Sequence, residues 1–84
     1  MTPSPEFAEE RTMLEVYGAA SCQYTAQLLE ELEWQGEQFT YIDVEQDAAA
    51  FSRLVKLTGQ RAIPVLLEDG KVKTLGYLGR SCSL

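Results

Sequence analysis

Two cysteines and no histidine bound the chemistry this 84-residue chain can do. Without an imidazole there is no Ser-His-Asp triad and no Cys/His zinc quartet, which leaves thiol chemistry, carboxylate chemistry or binding alone. Cys22 lies in Tyr17-Gly18-Ala19-Ala20-Ser21-Cys22-Gln23-Tyr24-Thr25, where a strand-like run ends, small residues form a loop, and a helical pattern begins. A helix start offers unpaired backbone N–H groups and a partial positive charge of roughly half a unit. A cysteine placed there is held toward the thiolate, its pKa lowered from about 8.5 to roughly 3.5–7.5. Thr25, one helical turn on, can donate its hydroxyl to the same sulfur, with an ordinary first-turn helix residue as the alternative. For Cys22 the alternative is a small buried hydrophobe, as most free cysteines are. The junction favours the reactive reading, because it belongs at the carboxyl edge of a sheet, where open α/β folds bind ligands. Cys82 is too distant in sequence to form a local metal-ligand pair with Cys22, and a structural disulfide is not expected in a cytosolic chain. A reactive thiol with a distant second thiol stays open.

The elements that must position Cys22 are legible on either side of it. Met13 to Tyr17 reads as a buried first strand that stops at Gly18. A helix is expected from about Cys22 to Gln35, with Leu28, Leu29 and Leu32 on one face, Glu30, Glu31 and Glu33 mostly away from it, and Gly36 as its stop. Phe39 to Asp43 is the next strand. Asp47 offers an N-cap to a second helix whose inward residues are Ala50, Phe51, Leu54, Val55 and Leu57, closed by Gly59. After Pro64, Val65–Glu68 and Lys71–Leu75 flank Asp69-Gly70, a two-residue hairpin signal. The order β-α-β-α-β-β predicts an α/β fold with a mixed four-stranded sheet, strands separated by helices pairing in parallel and the last two antiparallel. Gly76 to Leu84 is a glycine-punctuated tail, too short for a regular core helix. Residues 1–12 read as an N-terminal extension, with a short helix over Pro5–Arg11 as one option, and residues 13–84 as the single domain.

A second marker is Gly59-Gln60-Arg61-Ala62-Ile63-Pro64, directly before a strand. Proline cannot donate to a sheet ladder, so it belongs at the first residue of a strand or at an edge, and the loop before it can offer free backbone groups to an extended ligand. The stretch Tyr17 to Thr25 resembles the glutaredoxin active-site pattern Tyr-x-x-x-x-Cys-x-Tyr-Cys, and Leu57 to Pro64 resembles that family's Leu-Thr-Gly-x-Arg-Thr-Val-Pro. With the element order, the resemblance spans about Leu14 to Tyr77. It implies a thioredoxin-like fold of the glutaredoxin type and reversible thiol-disulfide exchange on protein or small-molecule disulfides, often with glutathione as co-substrate. It implies Cys22 as nucleophile and Pro64 as a cis proline beside it. Ile63 would pair through its backbone with the cysteine of a bound glutathione or peptide, and Tyr24, Arg61, Gly76 and Tyr77 would complete the substrate-binding set.

The departures from the pattern are as informative. Thr25 stands in place of the resolving cysteine, so an internal Cys-x-x-Cys bond is impossible. Ala19 stands where many glutaredoxins carry a glutathione-binding lysine. Gly76-Tyr77-Leu78-Gly79 replaces the family's Gly-Gly and is closer to the Gly-aromatic of redoxins served by a thioredoxin-reductase-type donor. The family's last helix is absent or replaced by the short tail. In the fold implied, that tail emerges near the proline loop, and Cys82, six residues past Gly76, has a reach of about 20 Å. Cys82 is therefore a candidate resolving thiol, with a terminal thiol of no role as the alternative. A Cys-x-x-Thr motif with a cysteine-bearing tail is also similar to a small glutaredoxin-like group in which selenocysteine often takes the first position, so Cys22 is either natural or a stand-in.

Two competing functions follow from the same residues. One is a single-thiol glutaredoxin that shares an iron-sulfur cluster between protomers, although Gln23-Tyr24 replaces the usual Gly-Phe. The other is a catalytically silent domain that binds a partner through the proline loop or the sheet face left bare by the missing helix. The formal charge of −6 argues against nucleic acid and anionic membrane as partners. No apolar run approaches the roughly 18 residues of a spanning helix, and Met1 to Glu10 lacks the pattern of a secretory signal. The expected setting is the cytoplasm, with no metal and no resident cofactor.

Overall fold

A computed structural model describes residues 13–84; the expected extension over residues 1–12 and its optional helix lie outside the described residues. The elements run β1 (Leu14–Gly18), α1 (Gln23–Trp34), β2 (Phe39–Asp43), α2 (Ala48–Thr58), β3 (Ala62–Ile63), β4 (Val65–Glu68), β5 (Lys71–Leu75) and β6 (Cys82–Ser83). The four longer strands form one sheet in the order β2-β1-β4-β5, and β3 and β6 form a separate two-stranded ladder. The sheet is mixed, as the element order predicts, and the fold is α/β and thioredoxin-like, with the short strand β6 and no long helix after β5 among the described residues.

Alternation along the central strands sorts the core into two layers. Leu14 and Val16 of β1 and Leu66 of β4 pack with Leu28 and Leu32 of α1. Tyr17, Val65 and Leu67 pack with Ala50 and Leu54 of α2, together with Ile63, Ala19 and Cys22. The helix ends behave as their residues dictate. Asp47 accepts from the N–H of Ala50 at 3.1 Å, Gly59 closes α2 at φ 71°, and Asp69 and Gly70 turn β4 into β5 with φ of 55° and 82°.

Three expectations are corrected. The first concerns pairing: β1 and β2 are parallel, but β4 lies antiparallel to β1, with Tyr17 opposite Val65 and Leu14 opposite Glu68. The chain leaves β2 at Asp43, opposite Gly18, and enters β4 at that same end of the sheet. The α2 connection therefore makes no full crossover, and the parallel rule does not apply to it. The second is that Leu57 is 46% exposed, because the inward stripe of α2 steps by four from Ala50 to Leu54 to the half-buried Thr58. The third is that α1 starts at Gln23, with Cys22 as its N-cap, and ends at Trp34. The consequence is chemical, since an N-cap residue faces the helix's free N–H groups from outside the first turn.

Candidate functional site

The loop carrying Cys22 is pinned at both ends by backbone bonds. Gly18 accepts from Val44 N–H at 2.8 Å and Ala19 accepts from Cys22 N–H at 3.1 Å, which closes a tight turn. Cys22 itself is extended, with φ −95° and ψ 118°, and its carbonyl accepts from Ala26 N–H at 3.2 Å to begin α1. Its side chain makes no capping bond to the helix. The sulfur is instead bonded to that of Cys82, across a Cα–Cα separation of 6.1 Å, and Cys22 is buried. Ile63 comes close from the other side, its carbonyl oxygen 4.0 Å from the Cys22 sulfur, and the Ile63–Pro64 peptide is cis.

Thr25 is buried, and with the Cys22 sulfur held in the disulfide its hydroxyl bonds elsewhere. It accepts from the backbone N–H of Ala19 at 3.4 Å, and among the described residues no hydrogen bond joins it to Cys22. The physical reason is the approach of β1 to α1. A Cβ added to Gly18 would stand 2.6 Å from the Thr25 hydroxyl oxygen, so that oxygen fills the space above the strand end and meets the loop's N–H there. Replacing Thr25 by valine removes the acceptor for a buried amide and is expected to destabilise the fold by about 1–3 kcal/mol in urea titration, with serine retaining most of it.

The tail returns to this site by a route the sequence barely signals. Gly76 donates its N–H to Pro64 O at 2.7 Å, and Tyr77 and Arg80 then exchange backbone bonds of 2.7 and 2.9 Å around Leu78 and Gly79, whose φ angles are 53° and 79°. That is a two-residue hairpin turn of the kind Asn-Gly prefers, built here on Leu-Gly. It aims Ser81 to Leu84 back along β3. Ala62 is opposite Ser83, Ile63 is opposite Cys82, and Leu84 N–H donates to Arg61 O at 3.1 Å. Gly76 is fitted to this path, because its φ is 80° and a Cβ there would meet Arg80 O at 2.6 Å. Gly76→Ala is therefore expected to displace the turn and slow formation of the Cys22–Cys82 bond during air oxidation of the reduced protein, by about tenfold for a cost near 1.4 kcal/mol. Time-resolved thiol labelling reads that rate.

The candidate residues fall into two groups. Cys22, Cys82 and Ile63 converge in one cluster with half-buried Tyr24 packed against it, buried Pro64 follows Ile63, and buried Thr25 reaches the loop through the Ala19 N–H. Exposed Arg61 takes part through its backbone carbonyl. Gly76 joins them through Pro64, but Tyr77 does not. Its ring packs on the Leu14, Leu28 and Leu32 layer, and its hydroxyl donates to Glu31, which raises the phenol above its ordinary pKa. Ala19, in the position where the family pattern often has lysine, is fully buried. Ser21, beside Cys22, donates to the carboxylate of Glu45 at 3.2 Å, so that rim of the site is acidic.

Residues 14–73 match the family model described as Glutaredoxin. Among solved structures, the fold is similar to that of a glutaredoxin (grx-1) from Archaeoglobus fulgidus, with 22% identity and a TM-score of 0.69 over 84% of this chain and 82% of that one. It is also similar to glutaredoxin 1 from Francisella tularensis, determined in complex with cacodylate, with 15% identity and a TM-score of 0.55 over 79% of this chain and 84% of that one. No curated protein sequence matches. At these identities the structural likeness is one of fold. The family match takes in Cys22, Thr25, Ile63 and Pro64 and stops short of Gly76, so the Cys82 tail lies outside it.

Proposed function

The chain belongs to the glutaredoxin family, and from that premise we propose that it is a thiol-disulfide oxidoreductase in which Cys22 attacks and Cys82 resolves. The observation that carries this reading is the bond between Cys22, at the N-cap of α1, and Cys82, brought opposite Ile63 by the tail. In the reduced protein the Cys22 thiolate attacks a substrate disulfide. A bond forms between Cys22 and one substrate sulfur, and the other substrate sulfur leaves as a thiolate and takes up a proton. The Cys82 thiolate then attacks the Cys22 sulfur, the mixed disulfide breaks, the second substrate thiol departs, and the Cys22–Cys82 bond is left behind. Two electrons pass from the protein's thiols to the substrate.

The helix start supplies the pull toward thiolate that a histidine supplies elsewhere. Thr25 holds the loop through Ala19 and so acts as a positioning residue. Ile63, Pro64, Tyr24 and Arg61 line the approach to Cys22, and Gly76 directs the tail. Regeneration needs an external thiol donor, either glutathione or a thioredoxin-reductase-type protein. With Ala19 buried, that position offers no surface cation to a glutathione carboxylate, which favours the second donor. The Cys-x-x-Thr motif and the cysteine-bearing tail support a kinship with the glutaredoxin-like group in which selenocysteine often takes the nucleophile position. The net charge of −6 disfavours nucleic acid as a partner. Among the described residues no helix is long and apolar enough to cross a membrane.

The test is mass spectrometry with turnover. The oxidised protein is expected to be lighter than the reduced one by two hydrogens, Cys82→Ser is expected to accumulate a mixed disulfide on Cys22, and hydroxyethyl disulfide is expected to be consumed under reductant. A reduced protein whose Cys22 forms no mixed disulfide would sink the reading and leave a silent binding domain.

A further inference from the structure

The tail does more than carry a second thiol, because it occupies the backbone edge beside Cys22. Cys22 is 2% exposed and Ile63 fully buried, and the Cys22 sulfur stands 4.0 Å from the Ile63 carbonyl oxygen. A substrate sulfur that reacts with Cys22 must come within bonding distance of it, and Cys82 stands at that distance now, on a strand laid antiparallel along Ala62 and Ile63. A peptide delivering its own cysteine in an extended conformation would overlap that strand. Leu84 bonds to Arg61 O, and the pair two residues along is Ile63 with Cys82, so the ladder covers the whole edge from Arg61 to Ile63.

We propose that the Arg61–Ile63 edge is a single exchange site, taken in turn by residues 82–84 of the tail and by an extended, cysteine-bearing peptide, and that the two exclude each other. The tail is then a built-in competitor of protein substrates. It closes the edge in the oxidised state, it must leave before a polypeptide disulfide can engage Cys22, and it returns to resolve the adduct once the peptide, still held through its sulfur, has released the edge. A small disulfide that uses only the sulfur has to displace the Cys82 side chain but not the strand that carries it. This is strand addition to an open edge, with the protein's own residues 82–84 as the resident strand. Little holds that strand apart from the disulfide: two residue pairs in register, one further backbone bond at Leu84 and a two-residue turn. A strand so short can be exchanged once the covalent bond is gone. The inference rests on Cys22 as the nucleophile.

The experiment uses full-length Cys82→Ser, so that no internal bond forms, with Cys22 carrying one of two groups in disulfide linkage. One is hydroxyethyl, and the other is the peptide Ala-Ser-Cys-Ser-Ala attached through its cysteine from the pyridyl disulfide. Amide hydrogen exchange is followed at Leu84, whose N–H donates to Arg61 O at 3.1 Å. Exchange is expected to be about tenfold faster in the peptide adduct than in the hydroxyethyl adduct, as the peptide displaces the tail. Equal rates in the two adducts overturn the proposal, whether because the tail stays in place beside the peptide or because it never holds the edge without the bond. Failure of Cys22 to accept either group is a different result, since it removes the nucleophile reading and the proposal with it.

Discussion

Reduction of the Cys22–Cys82 bond is expected to lower the stability of the domain by about 4 kcal/mol and its Tm by roughly 20 °C. The bond joins residues 60 apart in sequence and so closes nearly the whole domain into one loop. Loop-closure entropy at that length gives the figure above for 25 °C. The loss is large for a small domain, whose total stability is on the order of 5–15 kcal/mol. It is also the main restraint on the tail, since among the described residues β6 pairs only with the two residues of β3. Thermal denaturation followed by circular dichroism, with and without reductant, measures it. Cys82→Ser is expected to melt with the reduced protein and to be indifferent to reductant. Coincident melting curves for the oxidised and reduced parent would contradict the bond as a structural tie.

Cys22→Ser is expected to abolish disulfide exchange, by at least about a thousandfold in kcat/KM, while melting at the temperature of Cys82→Ser. A serine hydroxyl has neither the acidity nor the sulfur chemistry to attack a disulfide at neutral pH, and no histidine is present to activate it. The comparison of the two variants separates structure from chemistry. Both lose the same covalent tie and so the same stability, but only one loses the attacking atom. Cys82→Ser retains the first step and is expected to consume one equivalent of disulfide in a burst, then to turn over at the rate at which external thiol resolves the adduct. Equal residual activity in the two variants would mean that Cys22 has no privileged role.

Much of this arrangement was legible in the residues because local chemistry decided it. Asp47, Gly59 and Asp69-Gly70 mark their ends and turn unambiguously, and the small-residue loop before Cys22 places the cysteine at a helix start whether it is counted as first residue or N-cap. The antiparallel placement of β4 was not legible. It depends on α2 bringing the chain back to the end of the sheet it left, which no run of residues announces. The partner that the Thr25 hydroxyl takes in the disulfide-bonded state was not legible for a similar reason. Its bond to Ala19 follows from how closely Gly18 lets the strand approach the helix, a tertiary distance rather than a spacing. The tail was legible in reach but not in form. Leu78 at positive φ is an unusual first residue for a hairpin turn, so Leu78-Gly79 gave only half of the usual signal, and a two-residue strand has no periodicity to detect. Tyr77 reads in sequence as part of the substrate path, yet it is drawn to the opposite layer by Glu31 and the leucines of α1.

The central claim is that Cys22 is a nucleophile because of where the fold puts it. The measurement that tests it most directly is the thiol pKa of Cys22 in reduced Cys82→Ser, followed by thiolate ultraviolet absorbance against pH, where Cys22 is the one thiol. A value lowered into the range of roughly 3.5–7.5 is the result predicted for a cysteine at the start of α1. A value at or above the free thiol's, about 8.5, would contradict the account and leave the site as a fold with a buried sulfur.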